Sequence, residues 1–77
     1  MEVVFDLSQI ETLPLETLSI ILATSLFLRR LGGDLKLARP KPSVRISLEI
    51  TRVHHIIEIH PSLESAIRAY TYSAEAK

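Results

Sequence analysis

The chain has 77 residues, nine Lys and Arg against nine Asp and Glu, three His and no Cys, and 47% of it is hydrophobic. That length allows one domain with a small core, and the apolar fraction argues for a packed interior rather than disorder. Zero net charge removes a global field that would draw nucleic acid, and the lack of Cys excludes disulfides, thiol catalysis and thiolate metal sites.

The chain starts with a short apolar run, Val3 to Leu7, that is β-branched on both faces, as a buried parallel strand is. Asp6 and Ser8 sit at its carboxyl end. Thr17–Leu31 has helical length and carries two apolar stripes. Leu18, Ile21, Leu22, Ser25 and Leu28 form one, and Ile20, Thr24, Phe27 and Leu31 the other. One stripe suffices for packing on a sheet, so the second needs a further cover, such as a neighbouring helix or a partner chain. Gly32-Gly33 supplies a left-handed helix stop.

Leu35–Ala38 predicts a second strand, and Arg39-Pro40-Lys41-Pro42 a stiff connector. Ser43–Arg52 is ambiguous: Val44, Ile46, Leu48 and Ile50 alternate with polar residues as in a strand. The Pro42-Ser43 opening favours a helix, and Arg52-Val53 lacks the Gly, Asn or Asp that a hairpin turn needs. We read the segment as a helix. His55–Ile59 predicts a third strand ended by Pro61. Ser62 is the expected cap of a last helix whose apolar face is Leu63, Ala66, Ile67, Tyr70 and Ala74. Three βα units in a row favour an α/β fold with a parallel sheet and right-handed crossovers, which leaves the Val3–Leu7 strand at an edge.

Charge is unevenly spread. Residues 1–28 hold four acids and no Lys or Arg, whereas residues 29–52 hold seven bases and two acids. Such asymmetry can orient a charged protein partner. The longest uncharged run, Thr17–Leu28, has 12 residues, fewer than the roughly 20 that span a bilayer. No basic start followed by an apolar run marks a signal peptide. A cytoplasmic protein is the expectation, without membrane or nucleic-acid partners; aromatic residues for base stacking are nearly absent.

His54, His55 and His60 flank the third predicted strand. A regular strand puts His54 and His60 on one face and His55 on the other. Ends six residues apart are roughly 20 Å from each other, too far to share one ion. No metal site within one chain, no cofactor and no enzymatic activity are expected. There is no Gly-rich phosphate cradle followed by Lys-Ser/Thr, and no nucleophile elbow. Arg39, Lys41 and Arg45 are candidates for contacting an anion at the start of the second helix.

The succession of pieces resembles the STAS domain of anti-sigma factor antagonists. Phe5-Asp6-Leu7-Ser8 looks like that family's strand ending in Asp-Leu-Ser, and Ile10-Glu11 like the approach to its switch loop. Leu18 to Leu31 with Gly32-Gly33 is similar to its long helix and glycine stop. Pro42-Ser43-Val44-Arg45 with Leu48-Glu49-Ile50-Thr51 resembles the next helix. Ile57-Glu58-Ile59 with Pro61-Ser62-Leu63-Glu64 and Ala66 resembles the closing strand and helix.

The resemblance implies a single truncated STAS-like domain over residues 1–72, missing the first strands, and a frayed tail over 73–77. It also implies a protein-interaction module of bacterial sigma-factor regulation. Its partner would be an anti-sigma factor kinase or another STAS protein, bound through Leu13, Leu15, Glu16, Thr17, Ile20 and Phe27. The exposed edge strand makes a homo-oligomer conceivable. In the family the turn before the helix reads Asp-Ser-Ser-Gly, with the first Ser as phosphate acceptor. Those positions here hold Pro14, Leu15, Glu16 and Thr17. Leu15 has no hydroxyl, so the usual acceptor is lost; Thr17 and Ser19 are the alternative hydroxyls. Other expectations are a STAS fragment of an anion transporter or of a sensor or stressosome scaffold, or a small anion-binding protein.

Overall fold

The computed structural model describes residues 1–75, with side chains through Thr71. The elements in order are β1 (Glu2–Asp6), α1 (Leu15–Arg30), β2 (Asp34–Ala38), α2 (Pro42–Ile50), a single 3-10 turn (Val53–His55), β3 (Ile59–His60) and α3 (Leu63–Glu75). The strands form one parallel sheet in the order β1-β2-β3. Val3 pairs with Leu35 and Phe5 with Leu37, and Leu37 pairs with Ile59.

Side-chain alternation along β2 divides the molecule. Leu35 and Leu37 join Leu18, Ile21 and Leu28 of α1, Val44 and Leu48 of α2, and Val53 and Ile57 in one buried cluster. Lys36, one step out of phase, turns to the other face and lies beneath Tyr70 of α3. Both crossovers therefore run over the same face, as successive βαβ units of one hand require for this strand order. The third helix returns across the opposite face, so both sides of β2 are covered and even Lys36 is buried.

Local chemistry sets the helix ends. Gly33 N–H donates to Leu28 O at 2.8 Å and Gly32 N–H to Arg29 O at 3.1 Å, a paired stop that needs a left-handed residue, and Gly32 has φ +80°. A Cβ on Gly33 would overlap the Met1 carbonyl, 1.7 Å away, so the start of β1 rests directly on that glycine. Ser65 N–H donates to Ser62 Oγ at 3.0 Å, the expected cap of α3. That helix continues past Tyr72 to Glu75, and residues 76 and 77 of the predicted frayed tail lie outside the described residues.

The ambiguous middle segment is helical. Val44 and Leu48 are fully buried while Ile46 and Ile50 are 56% and 76% exposed, so the buried pair follows i, i+4 spacing and the strand-like alternation is incidental. The third strand differs from its prediction over His55–Ile59. Arg52 takes a left-handed conformation (φ 62°), and the chain then winds once, with Ile56 and Ile57 N–H groups donating to Val53 O. This turn sinks Val53 and Ile57 into the core, and pairing with β2 starts only at Glu58, whose carbonyl accepts from Leu37 N–H at 2.9 Å. The predicted alternation of the histidines fails with it. His54 and His55 sit side by side on the turn with ring centroids 4.1 Å apart, and His60 alone lies in the strand.

Candidate functional site

The loops at the carboxyl ends of β1 and β2 are locked together before α1 begins. Asp6 Oδ1 accepts from Ser8 N–H at 3.0 Å and closes a local turn, while its carboxylate pairs with the Arg39 guanidinium. That guanidinium, with help from the Ser8 amide, holds the Asp6 carboxyl well below the usual carboxylate range. Lys41 pairs with Glu11, and Ser43 Oγ donates to Glu11 O at 3.1 Å. Arg45 lies 3.9 Å from Glu49. All three bases considered for an anion thus face carboxylates.

Pro14 precedes α1 in an extended conformation and gives it no side-chain cap. Leu18 N–H donates to Pro14 O at 3.0 Å, so the amides ahead of it lack a carbonyl within the helix. Glu16, in the first turn, is favoured there by the helix dipole.

The candidate residues separate along this helix. Leu13 is half-buried and packs against the core. Leu15 is 75% exposed and shares a helical row with the exposed Ser19 and Leu26. Glu16, Ile20 and Phe27 share an adjacent row, with Ile20 63% and Phe27 53% exposed. Thr17 turns toward the sheet. It lines an apolar cavity of about 330 Å³ with Ile20, Ile21, Ile10 and residues 4–7 of the edge strand. Ala23, Leu26, Phe27, Arg30 and Leu31 border a second groove on the outer side of α1. The second stripe read in the sequence is therefore uncovered among the described residues. Ile20, Phe27 and Leu31 are the large apolar side chains on it.

A polar cluster on the other face went unread in the sequence. Lys36, 3% exposed, pairs with Glu58 at 2.6 Å and lies 4.5 Å from the centre of the Tyr70 ring. His60 Nε2 faces Glu58 Oε1 at 3.1 Å and its Nδ1 faces Ser65 Oγ at 2.9 Å. The Tyr70 hydroxyl proton is shared between the carbonyls of Val3 (2.9 Å) and Asp34 (2.8 Å). The one signal for this cluster was a Lys at the centre of an apolar strand, at a position that period two turns away from α1 and α2.

A parallel three-stranded sheet with a long helix after the first strand and helices on both faces defines an α/β domain. The model of the STAS domain family matches residues 1–66, and the chain belongs to that family. STAS domains mediate protein–protein interactions. Neither a curated protein nor a solved structure matches the chain. No described helix is long and apolar enough to cross a membrane. Among the described residues, no group of three His, Cys, Asp or Glu is placed to hold a metal ion.

Proposed function

We propose that this chain is a constitutive docking module of the anti-sigma factor antagonist type, acting in bacterial sigma-factor regulation and presenting α1 to an anti-sigma factor kinase or another STAS protein. The observation that carries the reading is the bare apolar row Ile20–Phe27, flanked by Leu15 where the family keeps its phosphate acceptor. Apolar side chains that remain open on a small domain gain about 25 cal/mol per Å² when a partner covers them. Phosphorylation in relatives adds nearly two negative charges at the helix start and disrupts docking. An alkyl side chain cannot take that modification, and Glu16 carries a fixed charge beside it.

The test combines the cognate kinase, ATP and intact-mass analysis with a binding measurement. The expected result is an unchanged mass and an affinity indifferent to ATP. A phosphate on Thr17 or Ser19 would replace the constitutive reading with a shifted acceptor. The transporter-tail and scaffold alternatives embed the same domain in a longer chain. The anion-binding alternative is weakened by the carboxylates facing Arg39, Lys41 and Arg45.

A further inference from the structure

The outer row of α1 is complementary to itself. Glu16, Ile20, Ala23, Phe27 and Arg30 follow one another at alternating steps of four and three, which keeps all five on one stripe of the helix. All five are exposed. Ala23 stands at the centre, with Ile20 on one side of it and Phe27 on the other. Glu16 and Arg30 lie at equal separations from Ala23 along the chain, about 10 Å each at 1.5 Å per residue. The groove on this side of the helix runs from Ala23 past Phe27 to Arg30 and Leu31.

Glu16, Arg29 and Arg30 are the charged residues of α1. Arg29 is engaged off the row, where it pairs with Asp34 and donates to Ile56 O. Glu16 and Arg30 meet no opposite charge among the described residues. An acid and a base at equal distances from a small residue, with apolar side chains between, match what a two-fold axis through that residue requires. Parallel pairing of two such rows sets Glu16 against Glu16 and Arg30 against Arg30, which like charges disfavour. Antiparallel pairing joins acid to base at both ends and opposes the two helix dipoles.

We propose that α1 pairs antiparallel with α1 of a second copy of this chain, about a two-fold axis at Ala23. The two Ala23 methyl groups let the helices approach closely. Ile20 of each copy enters the groove beside Phe27 of the other, and Glu16 of each copy meets Arg30 of the other. A single helix pair covers less than the roughly 1,200 Å² of stable complexes, so the association is weak, with a Kd of about 10–100 µM. The dimer goes beyond the docking reading above and shares its surface, so a partner that takes α1 competes with the second copy.

Sedimentation equilibrium of the full chain from about 5 to 500 µM should show a reversible monomer–dimer equilibrium. Glu16→Arg and Arg30→Glu should each weaken the dimer about tenfold, because every like-charge contact is made twice. Mixed in equal amounts, these two variants should pair with one another and regain the parent's affinity. The chain has no Cys, so Ala23→Cys should give a disulfide-linked dimer on mild oxidation. It should do so at least tenfold faster than Ser19→Cys, whose two copies sit about 12 Å apart along the helices. A chain that stays monomeric, equal oxidation rates, or no rescue in the mixture overturns the proposal. If the chain is monomeric and Phe27→Glu still weakens binding of the proposed anti-sigma factor or STAS partner, the dimer alone falls and docking on α1 stands. If the dimer forms and partner affinity ignores Phe27→Glu, the docking reading alone falls.

Discussion

Lys36 and Tyr70 meet on the face of the sheet opposite α1, with the ammonium 4.5 Å from the ring centre and the phenol hydroxyl reaching past it to the carbonyls of β1 and β2. Glu58 completes the cluster at 2.6 Å from Lys36 Nζ. This contact fastens α3 to the two strands. The main buried cluster lies on the opposite face, under α1 and α2, and the open apolar row is on the outer side of α1.

The alkyl stem of Lys36 contributes more than its charge. Glu58 is 58% exposed, so water can serve it when the ammonium is lost. Lys36→Ala should cost about 2 kcal/mol through lost packing. Lys36→Met keeps the volume and should stay within about 1 kcal/mol of the parent, because exchanging a buried ion pair for apolar contact is close to neutral. Urea denaturation of the two variants checks this; equal losses would mean that charge dominates.

Tyr70 makes stability fall at high pH. Burial, then the nearby Asp34 carboxylate, pushes its phenol up from 10.0 to about 12. A raised folded value keeps the stabilisation whole below pH 10.0 and loses it as pH rises towards 12. Tyr70→Phe should cost about 1–2 kcal/mol at pH 7 and remove that alkaline slope. Thermal denaturation between pH 7 and 12 measures both effects.

Asp6 and Glu58 act at the acid end. Arg39 lowers the first and Lys36 the second, from ordinary values of 3.8 and 4.5. A depressed folded value gives stabilisation that is complete above the unfolded value and lost as pH falls through the folded one. Melting temperature should therefore decline below about pH 4.5. Arg39→Ala should flatten that decline, because it removes the main cause that holds Asp6 low and leaves only the Glu58 part. Scanning calorimetry from pH 2 to 7 reads the slope.

Arg52 ends α2 with φ 62°, a conformation that glycine takes without penalty. Its side chain is exposed. Arg52→Gly should stabilise by about 0.5–1 kcal/mol, since relief of the left-handed cost exceeds the added entropy of the unfolded chain. Chemical denaturation measures the gain, and a loss would show that the arginine side chain contributes to this turn.

Ile20→Glu and Phe27→Glu place charge on the open row at side chains that are more than half exposed. Each should leave the denaturation midpoint within about 0.5 kcal/mol of the parent and weaken partner binding by about tenfold or more. Calorimetric titration with the proposed anti-sigma factor or STAS partner checks the second effect. Unchanged affinity in both variants would move the docking site off α1.

The order of elements was readable because each rests on local chemistry: β-branched runs, the paired glycines after α1, Pro42 at the start of α2 and Ser62 ahead of α3. The alternating Val44–Ile50 segment was the hard case, and it was settled by which pair of side chains the core admits. Sequence also identified α1 as having more apolar surface than one sheet face can cover, since that follows from helical periodicity alone. Three features needed the tertiary structure. The left-handed Arg52 and the turn behind it shortened β3, because burying Val53 and Ile57 together outweighed extended pairing. Lys36, Glu58 and Tyr70 come from three distant stretches and meet only through the register of β1 and β2 with α3 laid across them. The edge position of β1 followed from the order of βα units, but the apolar cavity between α1 and residues 4–7 depends on how the helix seats on the strand, which no local pattern encodes.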